Sequence, residues 1–199
     1  LSPEDFDFIY KNIKYDVHLA SICGGTDIVS CFIGASPIDP VIKGEIQKAG
    51  LGMDVDVYDE KGVSLVNLKG ELVCKSSFPS KPLYFWNDKN FIKYKQAYFK
   101  KFHNIWHHGD YIKKTINNGY IIYGRSDATL NSGGIRIGTA ELYRVIENMN
   151  EISESLAVEH QVANDTEVIL FVVMNKNYQL TDKIKNKIKF NLKKSLSPK

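Results

Sequence analysis

Apolar and polar positions follow several different rhythms along this chain. Phe6, Ile9 and Ile13 recur at helical spacing behind Ser2, Pro3, Glu4 and Asp5, the pattern of a capped start, and predict a helix over residues 2–13. From Gly50 the period drops to two. Met53, Val55 and Val57 alternate with Asp54, Asp56 and Tyr58, a turn is written at Asp59 to Gly62, and GELVC (Gly70 to Cys74) resumes, which predicts antiparallel sheet. Phe91, Tyr94, Tyr98 and Phe102 return to helical spacing, and NNGYIIYG (Asn117 to Gly124) predicts a further turn and strand. Beyond Arg125 a glycine-rich stretch leads to Thr139, read as the cap of a helix that buries Leu142, Val145, Ile146 and Met149. ESLAVEH (Glu154 to His160) and EVILFVVM (Glu167 to Met174) predict two strands, the second so evenly apolar that a central place is expected for it. Ile184, Ile188, Leu192 and Leu196 predict a closing amphipathic helix. The fold class expected is α+β, with a boundary at Arg125 to Ala128.

Composition adds limits. Apolar residues are 43% and charged residues 25% of the 199, an ordinary globular balance. No run approaches the roughly 18 uncharged apolar residues of a membrane span, and LSPEDFDFIY has neither a basic nor an apolar leader region, so a cytoplasmic protein with no membrane partner is expected. Cys23, Cys31 and Cys74 form no C-x-x-C pair, which leaves them as reduced thiols. Net charge is +3, but Lys176 to Lys199 holds eight lysines against one acid, Asp182. A solvated helix face explains this; so does a phosphate site. A basic nucleic-acid-binding module is the competing class of function. The 18 bases and 22 acids of residues 1–175 offer it no continuing basic surface, and no nucleic-acid partner is expected.

Three segments carry chemistry. In GGTDI (Gly24 to Ile28) two glycines let backbone N–H groups approach a ligand, Thr26 can donate to it and Asp27 can hold a hard cation; a tight turn with a capping Thr explains the same residues. WHHGDY (Trp106 to Tyr111) offers two histidines, but neighbours in an extended segment point to opposite faces, which disfavours a metal. Asp110 is either an acceptor fork for two vicinal ribose hydroxyls or a loop cap. In GRSDATLNSGGIRIGTAE (Gly124 to Glu141), Arg125, Asp127 and Arg136 punctuate small residues. A thin ligand could pass Gly133 and Gly134 with Arg136 on its phosphate, or the segment is a plain glycine-rich hairpin.

Taken in this order and separation, the three segments resemble the adenylate-forming superfamily of acyl-CoA synthetases, luciferases and peptide-synthetase adenylation domains. GGTDIVSCFIG, KGEIQKAGLGM, FWNDKN and WHHGDY are most similar to its acetoacetate-activating branch, with another short-chain acid as the alternative substrate. The resemblance implies ATP, Mg²⁺ and coenzyme A as cofactors, acetoacetate as substrate, an acyl-adenylate on the way to the thioester, and a setting in lipid or fatty-acid metabolism. It implies that residues 1–33 are the tail of a large N-terminal α/β subdomain, 34–126 a β-rich, barrel-like subdomain, and 127–199 a truncated, mobile C-terminal α+β domain. The apolar faces of the first segment, at Phe6, Ile9, Ile13 and Ile22, are then expected to await a partner.

The site residues implied by resemblance follow the motifs. Ser21, Ile22, Cys23, Gly24, Gly25 and Thr26 line the adenine and acyl pocket. Thr26 and Arg136 act catalytically on the α-phosphate, and Asp27 positions the metal, although many relatives have Glu there. Asp110 and Arg125 hold the ribose, Asp127 is the hinge, Gly133 and Gly134 border the pantetheine channel, and Lys193 or Lys194 meets coenzyme A phosphates. The superfamily's phosphate loop lies upstream and its adenylation lysine downstream. The chain is therefore expected to be a C-terminal piece, inactive alone, whose partner is the missing N-terminal part of the same chain.

Overall fold

The computed structural model describes residues 1–132, 135–162 and 165–196, with the backbone alone at 129, 131–132, 135–137, 161–162 and 165–166. The chain divides into two compact units, Leu1–Ile122 and Tyr123–Lys199.

The first unit opens with α1 (Pro3–Asn12). Ser2 caps it reciprocally: its hydroxyl accepts from the Asp5 amide at 3.2 Å while the Asp5 carboxylate accepts from the Ser2 amide at 2.7 Å. Of the apolar positions expected to await a partner, Phe6 is fully covered, whereas Ile13 and Ile22 are exposed.

Strands β1 (Cys23–Gly25), β2 (Ser30–Gly34) and β3 (Lys48–Ala49) form an antiparallel sheet in that order. A second sheet runs β4 (Val55–Tyr58), β5 (Lys69–Cys74), β6 (Trp106–Lys114) and β7 (Tyr120–Arg125), with α2 (Ile92–Phe99) between β5 and β6 in the chain. The turn at Asp59 to Gly62 forms as read, its Asp59 carboxylate accepting from the Lys61 and Val63 amides. The two sheets and α2 share one core, in which Ile28, Phe32 and Ile33 pack with Val57, Leu72, Trp106 and Ile112.

Helix α2 starts later than the spacing of Phe91 suggests. Asn90 and Phe91 are left-handed, and the carboxylate of Asp88 reaches over them to accept from the Lys93 and Tyr94 amides at 2.9 and 2.8 Å. Desolvation pushes the Asp88 carboxyl up, but these two amide bonds outweigh it and hold the group below the usual carboxylate range. FWNDKN is thus a helix-starting device, and its Asp fixes where Tyr94 and Tyr98 fall.

The second unit contains a hairpin of β8 (Thr129–Ser132) and β9 (Ile135–Gly138), then α3 (Thr139–Glu147), β10 (Ile152–Val162), β11 (Asp165–Met174) and α4 (Asp182–Leu196). Two expectations are corrected. Thr139 is the first helical residue and not the cap; Gly138 holds the cap position without a side-chain bond. Strand β11 is not central: among the described residues it pairs with β10 alone, and its apolar residues divide between two faces. Val168, Leu170 and Val172 join Ala157, Leu142, Ile146 and Ile188 in the core under α3 and α4, while Phe171 and Val173 lie open beside Leu156. An even apolar run looks the same whether one face is covered or two.

Helix α4 carries its lysines outward as expected, and one of them ties it down. The Glu151 carboxylate accepts from Lys187 Nζ at 2.6 Å, and that bond holds the carboxyl below its ordinary range. A carboxylate with a lowered folded pKa contributes stability above its unfolded pKa and loses it as pH falls through the folded value. The second unit is therefore expected to unfold more easily at about pH 3 than at about pH 6, and Lys187→Met to shrink the difference, read from urea melts by circular dichroism.

Candidate functional site

The GGTDI segment folds as the β1–β2 hairpin, whose turn is a short 3-10 helix over Thr26–Ile28. Glycine is required at position 24 by space: a Cβ there would overlap the Ser30 carbonyl oxygen and the Cys31 Cα of the opposing strand. At Gly25 a Cβ would overlap the Asp27 carboxylate and stand 2.9 Å from the His108 ring. Thr26 and Asp27 ride exposed on the turn that these close approaches permit. Val29 ends it in a left-handed conformation, φ 49°, strained for a β-branched residue.

WHHGDY reaches the same place from the other sheet. In the β5–β6 ladder Glu71 stands opposite Tyr111 and Val73 opposite His107, so His108, Gly109 and Asp110 bulge opposite Leu72 alone. Gly109 takes φ +84°, which the bulge demands and a side chain would resist. The two histidines part as read. His107 Nε2 lies 2.9 Å from the buried carboxylate of Glu71, which also accepts from Lys101 Nζ at 2.5 Å. His108 instead packs edge-on against Phe32, with Nε2 at 3.3 Å from the Gly24 carbonyl oxygen and 3.6 Å from Asp110 Oδ2. Asp110 is buried, 7% exposed, and Cys23 Sγ approaches its Oδ2 at 3.9 Å. Two motifs more than 80 residues apart thus meet, with Asp27 exposed on the turn and Asp110 buried.

Tyr98 completes the arrangement, and the sequence reading missed it. Its hydroxyl donates to Asp27 Oδ2 at 2.7 Å, while Asp27 Oδ1 accepts from the Ile28 amide at 3.1 Å. The ring stacks on Trp106 with centroids 3.7 Å apart and planes 15° from parallel. A tyrosine on a core stripe signals that its hydroxyl needs a partner, but nothing in the spacing says which one.

The remaining expected residues fall elsewhere. Ser21 is half-buried and Ile22 exposed just before β1. Arg125 and Asp127 belong to the second unit, where Arg125 Nε and Nη2 donate to the two carboxylate oxygens of Asp127 at 2.9 and 2.5 Å. Lys193 and Lys194 are exposed on the last turn of α4. Gly133, Gly134 and the side chain of Arg136 lie outside the described residues. Among the described residues no group of three His, Cys, Asp or Glu side chains could hold a metal, and no helix is long and apolar enough to cross a membrane.

No protein-family model matches the chain. Curated relatives do. The acetoacetyl-coenzyme A synthetase of Rhizobium meliloti is 50% identical over 199 residues, covering 100% of this chain and 31% of that protein. The acetoacetyl-CoA synthetase of Xenopus tropicalis is 42% identical, covering 99% of this chain and 30% of its own length. Among solved structures, the acetoacetyl-CoA synthetase from Streptomyces lividans superposes with a TM-score of 0.87 at 38% identity, over 100% of this chain and 30% of that one. A crystal structure of the anthranilate CoA ligase AuaEII in complex with anthranoyl-AMP shares the fold, with a TM-score of 0.68 at 19% identity over 88% of this chain.

In fold, the chain matches the C-terminal portion of adenylate-forming enzymes. Over its whole length the chain is homologous to part of acetoacetyl-CoA synthetases, and it spans about 31% of the length of the Rhizobium relative.

Proposed function

We propose that this chain is the C-terminal part of an ATP-dependent acetoacetate–CoA ligase. In that reaction an acetoacetate oxygen attacks the α-phosphorus of ATP and diphosphate leaves; the coenzyme A thiol then attacks the acyl carbon and AMP leaves. The observation that carries the reading is 50% identity to an acetoacetyl-coenzyme A synthetase over every residue of the chain. The meeting of Gly24 to Asp27 with Asp110 supports it, since those are the segments that would hold one nucleotide.

Asp110 accepts from the ribose hydroxyls; a ribose role for Arg125 rests on the resemblance alone. Thr26 donates to the α-phosphate, and Arg136 steadies the charge that builds there as phosphorus becomes pentavalent. Asp27 fits a Mg²⁺ that comes with the nucleotide: an exposed carboxylate with two of about four lone-pair sites in use can add one hard oxygen ligand, the phosphates and water supplying the others. The metal's contribution is to neutralise polyphosphate charge. Asp127 is the hinge between the two half-reactions, Gly133 and Gly134 border the pantetheine path, and Lys193 or Lys194 meets coenzyme A phosphates. Three cysteines outside any disulfide suit a cytoplasmic setting.

Acyl choice rests on overall similarity. Gly24 and Gly25 have packing reasons of their own, so their small size does not by itself argue for a roomy acyl pocket. The chain alone is expected to release no diphosphate above blank with ATP, Mg²⁺ and acetoacetate, because the phosphate-gripping loop lies elsewhere. The full-length polypeptide that carries it is expected to catalyse acetoacetate-dependent exchange of diphosphate into ATP, in preference to acetate. Release by the chain alone, or no acetoacetate dependence in the full-length protein, overturns the reading.

A further inference from the structure

We propose that Tyr98 is a positioning residue for Asp27, a role that rests on the ligase reading above. Asp27 sits on an exposed turn, where a lone carboxylate would sample several rotamers. Here it is held at both oxygens. Its Oδ1 is bound by the next amide in its own turn and its Oδ2 by a hydroxyl from a helix 71 residues away in sequence. The remaining lone pairs are thereby fixed before any cation arrives, so the cost of ordering the ligand is met during folding and not during binding.

The tyrosine is itself immobilised. Its ring lies flat on Trp106, with Phe85 edge-on at 5.6 Å and Tyr94 edge-on at 5.4 Å. Rotation of the ring would dismantle that cluster. Trp106 is the first residue of β6, the strand whose bulge carries His108 and Asp110. One aromatic stack therefore sets the position of both carboxylates: Asp110 through the strand and Asp27 through the hydroxyl. Tyr94, one turn earlier on the same helix, marks the contrast. Its hydroxyl is buried and, among the described residues, has no hydrogen-bond partner, so removing it breaks no bond among them.

The experiment uses the full-length protein. Tyr98→Phe keeps the ring on Trp106 and deletes only the donor. Two readouts are taken: Mn²⁺ binding in the presence of ATP, by electron paramagnetic resonance, and the split of kcat from the KM for acetoacetate in diphosphate exchange. The expected result is Mn²⁺ affinity weaker by about tenfold, the scale of one hydrogen bond to a charged group, with kcat lowered and the KM for acetoacetate unmoved. Tyr94→Phe, as the control, leaves both readouts at wild-type values. Should Tyr98→Phe fail to fold by circular dichroism, 4-fluorophenylalanine at position 98 fills the hydroxyl's space without donating and is read in its place. Wild-type Mn²⁺ affinity in the non-donating variant overturns the positioning role while leaving the ligase reading intact. A wild-type protein that shows no exchange at all overturns the ligase reading, and this proposal with it.

Discussion

Replacing Asp110 with Asn in the full-length protein is expected, on the proposed ribose role, to weaken ATP binding about 10- to 100-fold, the loss that follows when one charge-assisted hydrogen bond is made neutral or broken. Asn keeps the shape and one acceptor oxygen, so the bulge at His108 to Asp110 should survive, and the change falls on charge. The carboxylate is nearly dry, with 10% of its side chain accessible, and bonds made there are less screened than at the surface. Its setting is already committed to a carboxylate: His108 Nε2 lies 3.6 Å away and the Cys23 thiol approaches the same oxygen. Calorimetry with ATP checks the affinity and circular dichroism the fold. Unchanged affinity in a folded variant would reduce Asp110 to a partner of the hairpin and leave the ribose without a fork.

Gly24→Ala is expected to damage the fold itself. The added methyl meets no yielding side-chain end but the Ser30 carbonyl and the Cys31 Cα, so β1 and β2 must part. Overpacking of this kind costs about 1–3 kcal/mol. Urea unfolding followed by tryptophan fluorescence is well placed to read it, because Trp86 and Trp106 both lie in the first unit. The midpoint should fall with little change in slope, the signature of lost stability and not of a looser denatured state. A midpoint equal to that of the parent chain would mean that the hairpin can breathe open at no cost.

What could be read from the sequence was what is local. Ser2, Pro3 and Asp5 contain their whole capping box within four residues, and α1 begins where they say. The turn at Asp59 is of the same kind. Helix α2 was legible as a stripe but not in its limits: its cap comes from Asp88, several residues ahead of the first helical turn, and Phe102 lies in the loop beyond it. The candidate site shows the same division. GGTDI and WHHGD stand out as unusual residues, and family resemblance joins them, yet the physical contacts that bring them together are long-range. No periodicity reports that the Tyr98 hydroxyl ends at Asp27, or that two extra residues in β6 bend His108 toward Gly24. Strand β11 shows the opposite failure. Its apolar run was plain to see, but which of its faces is covered depends on helices that the run does not encode.

If the proposed hinge at Asp127 holds, its fork with Arg125 gives ionic strength a grip on the proposed swing between half-reactions. Both groups are well exposed, at 47% and 62% of their side chains, and an exposed pair is worth only about 0.2–1 kcal/mol in ordinary buffer. If Asp127 is the pivot, then Arg125 is its brake, and the brake is one that dissolved salt can release. Because the pair's atoms lie 2.5–2.9 Å apart, well inside the screening length of about 8 Å at about 0.15 M salt, turnover limited by the swing would quicken only as salt rises toward about 1 M, where that length falls to about 3 Å.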